Sequence, residues 1–219
     1  MSIKENLDKI KSRISSNIRL VAVSKTKPNE LILEAYEAGQ RDFGENYVKE
    51  LVDKHKELPE DIRWHFIGHL QSNKVKFIAP FVWLIQSVDT FKLLQEINKQ
   101  GQKNNRVINC LLQLHIAEEE TKFGFDFEEC EALLQSEELK NFQNIKIVGF
   151  MGMASNTHNE DQIRKEFRSI RSFSENISGL GFRVFSYGMS GDYKLAIMEG
   201  SNMVRIGNLI FGDRDYLKK

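Results

Sequence analysis

Two cysteines, three prolines and no long apolar run close several protein classes to this chain. Cys110 and Cys130 lie 20 residues apart, with neither C-x-x-C spacing nor a nearby histidine pair. That excludes a disulfide framework and a structural zinc, and points to a reduced, intracellular setting. Net charge is missing too. Lys+Arg and Asp+Glu balance at 31 each, so the composition offers neither nucleic acid nor an anionic membrane a partner. The longest apolar stretch, Phe77 to Ile85, is broken by Pro80 and is far shorter than the ~20 residues of a membrane span. Met1-Ser2-Ile3-Lys4-Glu5-Asn6 has no apolar core of a secretion signal. No Pro/Ser-rich linker divides the 219 residues. We expect one soluble, cytoplasmic domain spanning 1–219.

What is present is an alternation. Ile3, Leu7, Ile10 and Ile14 recur at helical spacing and predict an N-terminal amphipathic helix over 1–16. Candidate strands follow at 20–25, 42–46, 63–68, 81–88, 107–116, 145–151, 183–187 and 203–206, with helical patterns between them. Pro28 suits the first position of a helix that Gly39 ends. Asp89 is placed to cap the helix after the fourth run, and Thr157 with Glu160 forms a capping-box pattern. Glu118-Glu119-Glu120 reads as a solvated loop. Near-continuous apolar strands alternating with helices predict a parallel sheet covered on both faces. Eight such units suggest an α/β fold of the closed (β/α)8 TIM-barrel type, smaller than the usual ~250 residues. A doubly wound open sheet is the competing arrangement.

In such a barrel, functional residues gather at the C-terminal strand ends, with phosphate often held after strands 7 and 8. Ser24-Lys25, Gly44-Glu45-Asn46, Gly68-His69, Gly149 to Gly152, Gly188-Met189-Ser190-Gly191 and Arg205-Ile206-Gly207-Asn208 all fall there. Lys25 is either a solvated strand end or a Schiff-base amine, its pKa lowered by burial and neighbouring cations such as Lys27 or Arg205. Ser190 is either a helix cap or part of a phosphate seat, with Gly207-Asn208 as a second set of backbone donors. Arg205, in the run Met203-Val204-Arg205-Ile206, faces opposite Val204 and Ile206, either in an ion pair or inside the barrel mouth. His65 and His69 are four apart across a strand end, not on one helix face as zinc ligands would be, so no metal site is expected. No Ser-His-Asp, Walker or G-x-G-x-x-G pattern stands out.

Val21-Ala22-Val23-Ser24-Lys25-Thr26-Lys27-Pro28, Phe43-Gly44-Glu45-Asn46-Tyr47 and Trp64 through Lys74 together resemble segments of one family. Gly188-Met189-Ser190, Met203 through Gly207 and Ile210-Phe211-Gly212 continue the likeness in the same order. The chain resembles the pyridoxal phosphate homeostasis (YggS/PROSC) family. That resemblance implies a single domain like the barrel domain of alanine racemase. It makes Lys25 the lysine that forms an aldimine with pyridoxal 5'-phosphate (PLP). Ser190 with Gly207 and Asn208 becomes the phosphate seat, Arg205 the partner of the pyridine nitrogen, and Asn46 and Met151 neighbours of the ring. Two positions depart from the pattern: Asn208, where many relatives carry Thr, and Lys194, where an acidic residue is common.

The resemblance implies reversible PLP storage or delivery in vitamin B6 balance, without substantial turnover and with no catalytic residue. Arginine opposite the pyridine nitrogen keeps that nitrogen unprotonated, because two cations would repel. The sequence ends seven residues after Gly212, leaving nothing for the second domain that supplies the tyrosine base of alanine racemase. The competing readings are a slow PLP-dependent racemase or lyase and a Schiff-base aldolase acting on a phosphorylated substrate. PLP-dependent apo-enzymes are the implied recipients, and a monomer is expected.

Overall fold

The computed structural model describes residues 2–119, 123–177 and 181–212. Among them, eight parallel strands close into a barrel in sequence order: β1 (Arg19–Val23), β2 (Asp42–Glu45), β3 (Arg63–Phe66), β4 (Leu84–Val88), β5 (Ile108–Leu114), β6 (Ile145–Gly152), β7 (Val184–Ser186) and β8 (Met203–Ile206). Closure is made by β8 against β1, from Arg19 opposite Met203 to Ala22 opposite Ile206. That pairing eliminates the open sheet. Outside the barrel lie α1 (Ile3–Lys11), α2 (Asn29–Glu37), α3 (Val48–Glu57), α4 (Val75–Ile78), α5 (Phe91–Lys103), α6 (Phe127–Gln135), α7 (Glu137–Lys140), α8 (Glu160–Asn176), α9 (Tyr193–Met198) and α10 (Asn208–Phe211). No helix among the described residues is long and apolar enough to cross a membrane.

Strand alternation divides the interior into two cores. Outward-facing Leu20, Ala22, Phe43, Trp64, Phe66, Phe150, Phe185, Val204 and Ile206 pack against the helices. Inward-facing Val21, Leu84, Leu111, Met151 and Met203 form a separate apolar cluster in the lumen. Burying each such large side chain contributes about 1.5–3 kcal/mol, and the outer layer carries most of them. Helix α1 packs on α2 and α10, with the Asn6 side chain donating to the Ile210 carbonyl at 3.0 Å.

Helix ends differ from the sequence expectation for identifiable reasons. Helix α1 stops at Lys11 instead of 16, after Ser2 and Glu5 close a capping box at its start. Pro28 is the residue before α2, not its first turn. Thr90, not Asp89, caps α5, because the Asp89 carboxylate is engaged with His69 Nδ1 at 2.9 Å. Asn159 caps α8 through the Asp161 and Gln162 amides, while Thr157 Oγ1 accepts only from the Asn159 amide. Of the acidic run after β5, Glu120 lies outside the described residues. Glu119 accepts from the Asn156 amide at 2.8 Å instead of being solvated.

Candidate functional site

The sequence-expected site residues converge on one continuous sector of the C-terminal mouth. Met151 is the penultimate residue of β6, Ser190 follows β7, Arg205, Gly207 and Asn208 span the end of β8, Lys25 follows β1, and Asn46 follows β2. These five strands are consecutive neighbours around the closed barrel. Met151 is fully buried, Lys25, Asn46, Ser190 and Gly207 are half-buried, and Asn208 is exposed.

The loop carrying Lys25 is held from behind. Ser24 Oγ donates to Glu45 Oε1 at 2.6 Å, and Lys54 Nζ donates to the Ser24 carbonyl at 2.8 Å. The Thr26 amide donates to Glu50 at 2.6 Å, and Thr26 itself takes a positive φ of 64°. Lys54 is buried and bonds both Glu45 and Glu50, at 2.8 and 2.7 Å. Burial pushes the Glu45 carboxyl up to about 7, against the opposing pull of Lys54. The two lysines that the sequence leaves side by side are thereby separated. Lys27 Nζ donates to the carbonyls of Phe211 and Gly212 at 3.2 Å each, at the C-terminal end of α10 where cations belong. Lys25 continues the inward parity of Val21 and Val23.

Arg205 points into the lumen and is only 4% exposed. Its guanidinium donates from Nη1 to the Ser186 carbonyl (2.6 Å) and hydroxyl (2.7 Å), and from Nη2 to the Gly152 carbonyl (3.0 Å). No carboxylate among the described residues lies within ion-pair distance, so the ion-pair reading fails. Burial lowers its pKa to about 10, with a weaker opposing field from Asp192. A buried cation met only by neutral acceptors is costly and is suited to an anionic or lone-pair-bearing ligand. Three of its five N–H donors are accounted for by these bonds.

The β7–α9 turn sits over the same strand end. Gly188 has φ 96°, and a Cβ there would come within 2.5 Å of the Ala196 Cβ, so only glycine lets the turn fold back on α9. Its carbonyl accepts from the Arg205 amide at 3.0 Å. Asp192, not Ser190, occupies the cap position of α9 and accepts from the Met189 amide at 2.5 Å. The Ser190 hydroxyl bonds none of the described residues. Lys194 is exposed on the first turn of α9. Across the mouth, Gly68 abuts the Asn46 backbone, where a Cβ would lie 2.3 Å from the carbonyl oxygen. The buried Asn46 Oδ1 has no hydrogen-bond partner. A 620 Å³ cavity lies beside Asn46, lined by Tyr47, Phe66, His69, Lys74 and Phe77, and does not reach Lys25, Ser190 or Arg205. Among the described residues no cluster of three or more His, Cys, Asp or Glu is placed to hold a metal ion.

Sequence reasoning overlooked the groups that hold these residues. Glu45 at the end of β2, with Glu50 and Lys54 on α3, supports the loop of Lys25, and Ser186 supports Arg205 from within the lumen. Inward parity in otherwise apolar strands was the available signal for Ser186, as it was for Arg205.

The closed barrel of eight parallel strands alternating with helices places the chain in the (β/α)8 class of folds. Residues 1–215 match the family model described as alanine racemase, N-terminal domain, and the chain belongs to that family. More particularly, it is 39% identical over 202 residues to the pyridoxal phosphate homeostasis protein of Aquifex aeolicus, covering 90% of this chain and 88% of the relative. It is 36% identical over 236 residues to the protein of that name from Escherichia coli K12, covering 99% of each. PipY of Synechococcus elongatus, solved with PLP bound, superposes with a TM-score of 0.87 at 33% identity, covering 96% of this chain and all of that one. The alanine racemase of Clostridium difficile shares the fold, with a TM-score of 0.79 at 15% identity, over 99% of this chain and 58% of the racemase.

Proposed function

We propose that this chain binds PLP reversibly in the sector from β6 to β2 and holds it without substantial turnover, serving PLP homeostasis. The observation that carries the reading is Arg205, a buried cation with neutral partners only, at the mouth where the strand bearing Lys25 ends. The orphaned Asn46 Oδ1 and the uncommitted Ser190 hydroxyl fit a ligand with polar substituents at both ends. The names of the relatives and the PLP-bound PipY structure support the same ligand.

Bound PLP supplies a reactive aldehyde conjugated to a pyridine ring. Lys25 is the residue whose amine would hold the aldehyde. Arg205 would face the ring nitrogen and, as a cation, would keep a proton off it. Ser190, Gly207 and Asn208, at the turn before α9 and the start of α10, would hold the phosphate, and Met151 and Asn46 would line the place of the ring. Such a site would anchor the ring. Tyr187, just before Gly188, gives its hydroxyl to the Glu199 carbonyl at 2.8 Å, and burial raises its pKa.

The test is direct. Protein mixed with PLP and reduced with borohydride is expected to gain the mass of the reduced adduct on the peptide containing Lys25, with a visible chromophore that Lys25→Ala lacks. An adduct elsewhere overturns the assignment, and no chromophore with a phosphorylated sugar bound instead favours the aldolase. Exchange of an amino acid's α-proton into heavy water at an enzymic rate, dependent on Lys25, would sink the non-catalytic reading. Transfer of PLP to an apo-enzyme faster than spontaneous release supports delivery; equal rates leave a reservoir.

A further inference from the structure

A single run of buried polar side chains crosses the lumen from the N-terminal mouth to Arg205. At the lower end, Arg19 and Arg63 grip Asp42, the first residue of β2, at 3.1 and 2.6 Å. Asp42 Oδ1 lies 3.0 Å from His65 Nε2, and His65 Nδ1 lies 2.8 Å from Gln86 Nε2. Gln86 Oε1 accepts from Ser186 Oγ at 2.7 Å, and Ser186 Oγ accepts from Arg205 Nη1 at 2.7 Å. His65, Gln86 and Ser186 are completely buried. The contact between Gln86 and Ser186 joins β4 to β7, which do not neighbour each other in the barrel.

The ends of the run fix its direction. Burial alone would push Asp42 up, but hydrogen bonds from His65 and Arg63 and the charge of Arg19 outweigh it and hold the carboxyl well below its ordinary range. An ionised carboxylate only accepts, so His65 Nε2 carries a hydrogen. Burial holds His65 neutral, against the attraction of Asp42, which leaves Nδ1 as an acceptor. Gln86 then donates to Nδ1, and its other amide hydrogen meets Met203 Sδ at 3.3 Å, so its oxygen must face Ser186. Arginine only donates, so Ser186 accepts from Arg205 and gives its own hydrogen to Gln86. Every group is satisfied in one arrangement. A second proton on His65 would set N–H against N–H, and a flipped Gln86 amide would leave the Ser186 hydrogen without this acceptor.

We propose that Asp42, His65, Gln86 and Ser186 are positioning residues for Arg205, a one-way hydrogen-bond chain that presents a fixed acceptor to the guanidinium and so holds its orientation in the lumen. The consequence for the cofactor rests on the reading of Arg205 as the partner of the PLP ring nitrogen. The relay itself does not.

The experiment therefore has an apo and a loaded arm. In the apo-protein, nitrogen NMR of the His65 ring is expected to report a protonated Nε2 and a bare Nδ1; the opposite tautomer or a doubly protonated ring overturns the chain. Gln86→Met keeps shape and removes the contacts to His65, Met203 and Ser186. It is expected to shift and broaden the Arg205 side-chain resonances while the fold, followed by circular dichroism, persists. Unchanged Arg205 resonances overturn the proposal. With PLP added, the same variant is expected to bind about 10-fold more weakly, the scale of one hydrogen bond to a charged group, and to show a displaced absorption band. If the parent does not bind PLP, the functional reading fails while the apo arm still decides the relay. If Gln86→Met does not fold, Ser186→Ala removes one hydroxyl and is read the same way.

Discussion

Two buried cations flank the mouth of this barrel, and they are kept in opposite ways. Lys54, outside the strands on α3, meets two carboxylates and a carbonyl within 2.8 Å. Arg205, inside the lumen, meets two carbonyls and a hydroxyl and no carboxylate among the described residues. Charge is neutralised where a loop is held in place and left without a carboxylate at the mouth where we place the ligand. A saturated lysine can hold a loop but has nothing left to offer, whereas an arginine propped by dipoles keeps its full attraction for an incoming lone pair or anion.

The contrast can be broken from either side. Lys54→Met is expected to have the largest effect on stability, roughly 3 kcal/mol, because Glu45 loses its cation and the Ser24 carbonyl its donor; urea unfolding measures it. Arg205→Met is expected to leave urea stability within about 1 kcal/mol, since a neutral side chain is no costlier to bury, yet to weaken PLP binding about 10-fold or more by fluorescence titration. Arg205→Glu should instead favour a protonated ring and move the absorption band of bound PLP. An unchanged band with PLP still bound contradicts the placement of Arg205.

Acidity sharpens the comparison on the lysine side. Glu45 is raised in the fold from 4.5 to about 7, so its contribution is fully present below pH 4.5. It is lost as pH rises to about 7, because the unfolded chain ionises first, by up to roughly 3 kcal/mol. Unfolding followed between pH 5 and 8 is expected to lose this component in Glu45→Gln. His65 acts in the reverse sense. Its folded pKa lies below 6.5, so its contribution is present above pH 6.5 and fades as acid protonates the unfolded chain first. The smallest effect expected is that of Lys27→Met, a few tenths of a kcal/mol at a helix C-terminus, with the PLP adduct on Lys25 retained by peptide mass.

The strands and the mouth residues were legible because parallel strands covered on both faces write near-continuous apolar runs, in which a polar residue such as Arg205 stands out. The caps were less so. Asp89, Thr157 and Asn159 all have suitable side chains, and tertiary partners decided among them, as His69 did for Asp89. The relay was hidden for another reason. Asp42, His65, Gln86 and Ser186 sit on four different strands, and only closure of the barrel brings β4 across the lumen from β7. Lys54 was concealed by ordinary helical spacing on an amphipathic helix, where a lysine normally faces solvent.

The seam between β1 and β8 carries a consequence for biosynthesis. Lys25 emerges early from the ribosome, but the strand that bears Arg205 and the turn that begins α10 emerge last among the described elements. On the proposed reading, a nascent chain displays the Lys25 amine long before the rest of the pocket is made. Capture of PLP would then mark a chain whose barrel has closed, and chains stalled before β8 would not hold the cofactor.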